Sequence, residues 1–198
     1  MNRDEFFHKL PQRTAEELEL IQLAYWLSKC VHRDQERDGG ERYFEHPRQV
    51  ALSLIDHGYY DTETLIIALL HDVVEDTNTP PKVIVNLFGS LAWDRLETIS
   101  KKIPCFDPVT GEVLDRIVKP VEVYYEGIAN ADRVVRITKC SDRKHNLSDM
   151  RAFVEQRRRK YIDETRGFLL PIARITCPVY AHELELLCDQ AEESLLAL

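Results

Sequence analysis

Leu69-Leu70-His71-Asp72-Val73-Val74-Glu75-Asp76 is the stretch on which the reading of this chain turns. Upstream of it, Thr64 to Leu70 is almost entirely apolar, and then four ionisable residues arrive within six positions. A helix places His71 one turn from Glu75, and Asp72 one turn from Asp76. At 100° per residue the four side chains spread over an arc of roughly 140°. One side of a buried helix thus turns abruptly acidic. Acidic groups on a core helix are costly unless a cation neutralises them. A divalent metal suits the position, because imidazole and carboxylate are its usual nitrogen and oxygen ligands. The competing reading is a solvated helix end carrying a surface His-Asp pair.

The surrounding chain supplies a frame for that stretch. Its 198 residues are 44% hydrophobic, enough for one domain with a substantial core. With 34 acidic against 26 basic residues the net charge is -8, which argues against holding nucleic acid by bulk electrostatics. An anionic small molecule stays within reach if a metal and a few arginines give local positive charge. Cys30, Cys105, Cys140, Cys177 and Cys188 are widely spaced with no CxxC pattern, so free thiols in a reducing compartment are expected. Met1 to Glu5 lacks a signal-peptide apolar core, and no apolar run reaches transmembrane length. The expectation is a soluble cytoplasmic protein that binds neither membrane nor nucleic acid. Nothing in the sequence speaks to oligomeric state.

Working outward, residues 1–13 read as a short lead-in and 14–198 as one domain. Thr14 caps a helix over 15–35 whose Leu20, Leu23, Ala24, Leu27 and Val31 recur at helical spacing. His32 near its end reads as a packed or surface residue more readily than as a ligand. Gly39-Gly40 marks a loop, and Pro47 suits the start of a helix bounded by His46 and ended by Gly58. His46 is either a rigidly held ligand or a substitute cap. The helix that carries the central motif should run unbroken from Asp61 or Thr62 to about Thr77, where Pro80-Pro81 stop it. Pro81 to Phe88 reads as a short helix closed by Gly89. Ser90 to Lys101 reads as another, with Leu91, Leu96 and Ile99 inward. Ile103 to Asp115, with Pro104, Pro108 and Gly111, reads as a mobile surface loop.

Val121 to Ile128 reads as a helix despite its β-branched and aromatic content. A long helix should then start near Asn130 and reach about Met150. On it Asp142 and Asn146 share a face. Asp142 is a second buried-acid candidate; the alternative is a salt bridge to Arg143 or another basic neighbour. Arg157-Arg158-Arg159-Lys160 is either a solvated face or the lining of an anion site. An apolar patch surrounds Pro171, and Tyr180 to Leu198 reads as a final amphipathic helix with Leu184, Leu187 and Leu195 inward. The expected fold is all-α and single-domain.

The order His46-Pro47, then His71-Asp72 with Glu75-Asp76, then Asp142 with Asn146 resembles the ligand pattern of the HD phosphohydrolase superfamily. Gln35–Pro47, Ala68–Thr77 and Lys139–Leu147 resemble the hydrolase domain of the RelA/SpoT family, whose small single-domain members are alarmone hydrolases. Glu164-Thr165, Pro171-Ile172-Ala173 and Glu183-Leu184-Glu185 extend the likeness to roughly residues 20–190. The resemblance implies an all-α HD domain and a divalent ion, usually manganese, held by His46, His71, Asp72 and Asp142. It assigns the handling of water to Glu75 and Asp76, packing on a guanine base to Arg37, and contact with the substrate near ribose and phosphates to Asn146. His32 matches a position outside the metal shell. The implied reaction removes the 3′-pyrophosphate of guanosine 3′,5′-bis(diphosphate). Alternatives are an HD phosphatase or pyrophosphohydrolase acting on another nucleotide, NADPH-like dinucleotides included, and a nucleotide-sensing module without turnover. Three positions depart from the family: Asp38 stands where Lys or Arg is common, and Ser148-Asp149 stands where Arg-Thr is common. Alarmone synthesis is not expected of a chain this short.

Overall fold

The computed structural model describes residues 3–196. Helices α1 (Arg3–His8) and α2 (Ala15–Val31) open the chain. They are followed by α3 (Glu45–Asp56), α4 (Thr62–Leu70), α5 (Val73–Asp76), α6 (Pro81–Phe88) and α7 (Ser90–Ile99). A two-stranded antiparallel hairpin, β1 (Lys102–Phe106) and β2 (Val113–Val118), interrupts the helical run. Helices α8 (Val121–Asn130), α9 (Arg133–Ser148), α10 (Glu155–Glu164), α11 (Leu170–Thr176) and α12 (Pro178–Leu196) complete the fold. The fold is helical, as expected. The hairpin corrects the reading of 103–115 as a loop: Lys102 pairs with Val118 and Pro104 with Arg116, with an irregularity between Cys105 and Phe106.

Two helices organise the core. In α4 every residue from Thr64 to Leu70 is buried. Each large aliphatic side chain removed from water contributes about 1.5–3 kcal/mol, so α4 is a firm base for costly groups at its end. Asp61 caps it, accepting from the Thr64 N–H at 2.9 Å. Helix α9 packs against α3, α4, α7, α11 and α12, and Asp132 caps it through the Val135 N–H. Thr14 and Glu17 form a reciprocal capping box on α2, which ends at Val31 rather than at residue 35. Phe6 of α1 is fully buried and packs beside Tyr25. Val121–Asn130 is helical, as read from its context.

The central helix is not continuous. It stops at Leu70 and resumes at Val73. On an ideal helix neighbouring side chains diverge by about 100°, so a local loosening helps His71 and Asp72 to face one point. At Asp72 the backbone relaxes to φ -93°, ψ -7°, and both side chains turn the same way. Some apolar assignments also differ. Leu20 and Leu23 are exposed while Ile21, Ala24 and Tyr25 carry the buried stripe of α2. Leu91 is 52% exposed while Ala92, Leu96 and Ile99 carry that of α7, and Ile175, in the apolar patch around Pro171, is exposed.

Candidate active site

Four elements deliver the charged side chains to one place. His46 comes from the first turn of α3, His71 and Asp72 from the break between α4 and α5, and Asp142 from the middle of α9. Among the described residues, His46, His71 and Asp142 offer ligand atoms that lie within 4.8 Å of one another, and all three are buried. His46 Nε2 is 3.1 Å from His71 Nε2 and 3.1 Å from Asp142 Oδ1. Asp72 closes the group from the side, with Oδ1 3.2 Å from His71 Nε2 and Oδ2 3.5 Å from His46 Nε2.

The outer ring nitrogens explain what this cluster suits. His71 Nδ1 lies 2.8 Å from the Ala68 carbonyl, an acceptor, so Nδ1 carries the proton. His46 Nδ1 lies 2.9 Å from His145 Nδ1. Holding the outer nitrogens turns both Nε2 atoms inward, toward each other and toward two carboxylates. Such a set is satisfied by a shared proton or by a cation. Burial disfavours an imidazolium at His71, but Asp72 and Asp142 outweigh it and raise its pKa well above the ordinary value. At His46 burial wins and the pKa is lowered. Two imidazoles and two carboxylates in this arrangement fit a divalent ion.

Asp142 uses its two oxygens differently. Its Oδ2 accepts from Lys139 Nζ at 2.7 Å, one turn earlier on α9, while Oδ1 faces the histidines. Burial would raise its pKa, but Lys139 and the two histidines hold it well below the usual carboxylate range. The salt bridge considered from sequence thus exists, but with Lys139. Arg143 turns away to Tyr125, Tyr161 and Glu164.

The acid pair sits one turn beyond the cluster. Glu75 Oε2 accepts from the Lys101 N–H at 2.6 Å. Burial and the neighbouring Asp72 push its pKa up. Asp76 is also pushed up, by burial and Asp72, with Tyr43 opposing. The Tyr43 hydroxyl reaches Asp76 Oδ2 at 2.5 Å and Asp72 Oδ2 at 3.0 Å. Burial and those two carboxylates raise its own pKa, so it stays protonated and donates.

These groups lie along a cavity of about 790 Å³ whose wall includes Arg37, Asp38, Lys101, Lys102, Arg157 and Lys160. Arg37 is presented by a tight loop. Its N–H bonds the Glu41 carbonyl, and the Gly40 N–H bonds the Arg37 carbonyl. Gly40 takes φ 82°, a left-handed conformation that favours glycine. Arg37 Nη2 donates to Asn146 Oδ1 at 2.9 Å, and its Nε lies 3.4 Å from Asp149 Oδ2. Asn146 Nδ2 donates in turn to Asp142 Oδ1, so Asn146 links Arg37 to the cluster. His32 stands outside: it bonds Gln35 and stacks on Tyr43.

Residues 24–100 match the family model described as HD domain. A guanosine-3′,5′-bis(diphosphate) 3′-pyrophosphohydrolase of Aquifex aeolicus is 34% identical over 172 residues, which is 86% of this chain and 23% of that protein. The bifunctional (p)ppGpp synthase/hydrolase SpoT of Escherichia coli is 31% identical over 160 residues, 80% of this chain and 22% of that protein. The chain carries an HD domain. It spans less than a quarter of the length of these curated relatives. A solved structure of a metazoan ortholog of SpoT that hydrolyses ppGpp matches with a TM-score of 0.69 at 22% identity. The match covers 91% of this chain and 97% of that one, and at that identity the likeness establishes the fold.

Within this HD domain the structure brings together all eight residues singled out from sequence. It adds Tyr43, Lys139 and His145, each one turn from a cluster residue: Tyr43 from His46, and Lys139 and His145 from Asp142. That spacing was the available signal. Lys101 and Lys102 had no local signal, because the hairpin brings them in. All five cysteines are free. No helix among the described residues is long and apolar enough to cross a membrane.

Proposed function

We propose that this HD domain hydrolyses the 3′-pyrophosphate of guanosine 3′,5′-bis(diphosphate) or its pentaphosphate form, giving GDP or GTP and pyrophosphate. The observation that carries the reading is the convergence of three buried ligand groups and the part-buried Asp72 beside two carboxylates of raised pKa, in one cavity whose wall carries both acids and cations. His46, His71, Asp72 and Asp142 would hold a divalent ion, manganese in this reading. Such an ion lowers the pKa of water and offsets charge on the phosphate in transfer. Glu75 takes the proton of the attacking water. Asp76, held by Tyr43, keeps the field around Glu75 negative and its pKa high. Arg37 lays its guanidinium plane on the base while Asn146 holds its edge. Lys101, Lys102 and Lys139 face the phosphates. The working unit is residues 14–198, with 1–13 as lead-in, acting on a small nucleotide in the cytoplasm.

A second reading, an HD phosphatase or pyrophosphohydrolase on another nucleotide, is favoured by one feature. Asp38 pairs with Arg157 and Asp149 with Arg37, so two rim cations are partly neutralised. Pyrophosphate release from guanosine 3′,5′-bis(diphosphate), measured with manganese and with chelator, tests the first reading against a panel of GTP, ATP and phosphorylated dinucleotides. No release from the tetraphosphate at full metal content, with turnover of another nucleotide, would give the second reading the site. Tight binding without turnover of any nucleotide would make the domain a sensing module.

A further inference from the structure

The acid pair rests on a helix of a single turn, and an isolated turn cannot hold itself. The carbonyls at the end of α5 need donors from elsewhere. Thr77 Oγ1 serves the Val73 carbonyl at 2.6 Å, and Gln35 Nε2 serves that of Asp76 at 2.7 Å. The carbonyls of Glu75 and Thr77 are both served by Arg116, from β2. Its Nε donates to Glu75 O at 3.0 Å and its Nη2 to Thr77 O at 2.8 Å, with Asn78 Oδ1 at 3.2 Å. The same hairpin meets Glu75 from the other side. The Lys101 N–H leading into β1 bonds its carboxylate, and Lys102 Nζ lies 3.8 Å from Oε1.

We propose that Arg116 is a positioning residue for Glu75: its fork fixes the turn over 75–78 and so aims the Glu75 carboxylate at the cluster. The inference rests on the reading of Glu75 as the base. A cation suits the end of a helix, where carbonyls are unpaired, and only arginine offers several donors in one rigid plane. The flanking β2 residues Leu114, Asp115, Ile117 and Val118 are exposed, whereas Arg116 is half-buried against α5. The cluster is secured independently, His71 by the Ala68 carbonyl and Asp142 by Lys139. Loss of Arg116 therefore displaces the base and leaves the metal ligands in place.

The test uses Arg116→Ala and Arg116→Lys in the full chain. Arg116→Ala should keep metal content and KM near those of the parent while kcat falls on the order of tenfold to a hundredfold, the usual cost of a misplaced group. Arg116→Lys, with a single donor point, should recover part of that loss; it also serves if the alanine variant does not fold. In a Glu75→Gln background Arg116→Ala should cost nothing more, since its effect passes through Glu75. Amide exchange without substrate should show residues 75–79 losing protection while β1 and β2 keep theirs. Parent-like kcat in Arg116→Ala, or a full additional loss on Glu75→Gln, would overturn the proposal. If the parent turns over no nucleotide, the proposed function fails by itself and exchange alone decides the clamp: unchanged protection over 75–79 refutes it.

Discussion

Exchanging Glu75 for Gln separates proton transfer from structure at this site. The carboxylate accepts the Lys101 N–H through Oε2, and a glutamine carbonyl can accept the same bond, so the hairpin keeps its hold. The base is lost, together with the long ion pair to Lys102 Nζ. General-base contributions are about a hundred- to ten-thousand-fold, or about 2.7–5.4 kcal/mol at about 1.36 kcal/mol per tenfold. kcat for pyrophosphate release should fall by that factor while metal content and KM stay near parent values. Stability should move the other way. Burial, Asp72 and Asp76 raise the Glu75 pKa above its unfolded value, so the folded state holds the proton more tightly than the unfolded chain. The resulting stability is complete below the unfolded carboxyl pKa and is lost as pH rises through the raised folded value. Glutamine does not ionise. With chelator present, the variant should therefore melt higher than the parent at neutral pH, and the advantage should vanish in acid. Near-parent turnover with metal in place would remove Glu75 as the base. A lower melting temperature at neutral pH would refute the charge argument.

Three further outcomes are expected. His71→Ala and Asp142→Ala should lose bound metal and turnover together, whereas His32→Ala, whose ring contacts Gln35 and Tyr43, should keep its metal; metal analysis decides each. Arg37→Ala should raise KM for a guanine nucleotide more than it lowers kcat, because stacking acts in ground and transition states alike; an unchanged KM would remove Arg37 from the site. Asp38→Asn should release Arg157 for phosphate and lower KM for the most highly phosphorylated nucleotide in a competition assay, and no change there would show that the pair does not touch selectivity.

The long helices were legible because burial imposes their period. Helix α2 follows the Thr14 cap, although its buried stripe is Ile21, Ala24 and Tyr25 rather than Leu20 and Leu23; α4 is apolar from Leu65 to Leu70; and α9, expected from near Asn130, starts at Arg133 after its Asp132 cap. The break at His71-Asp72 was not legible, since no proline or glycine marks it. It accompanies the convergence of two adjacent side chains on one cluster, which is a tertiary arrangement. The hairpin was missed for a different reason. Pro104 and the turn residues 107–112 argue for a loop, and β2 exposes Leu114, Ile117 and Val118 together, so no alternating burial betrays it. The same gap hid Lys101, Lys102 and Arg116, which reach the acid pair only through the folded hairpin. His46, His71, Asp72 and Asp142, singled out through the family resemblance, do converge in the structure.

The departures at Asp38 and Asp149 gain a common explanation from the loop that carries Arg37. That loop touches the rest of the cavity wall through two adjacent pairs of opposite polarity. Arg37 reaches Asp149 at the end of α9, and Asp38 receives Arg157 from α10. The Arg157–Asp38 pair is exposed and contributes only about 0–1 kcal/mol, and the Arg37–Asp149 pair is long at 3.4 Å, so stability is a poor reason to keep two acids on this wall. Their effect is better placed in the ligand. Arg157 also lies over the Phe153 ring at 3.7 Å, and it can hold that contact while a phosphate replaces Asp38 as its counterion. Arg37 keeps its bond to Asn146 if Asp149 lets go, so its plane stays fixed when the rim changes partners. In the proposed reaction these acids would hold two arginines in position before a ligand arrives, and would give way to a ligand of higher negative charge; the Asp38→Asn competition assay tests this.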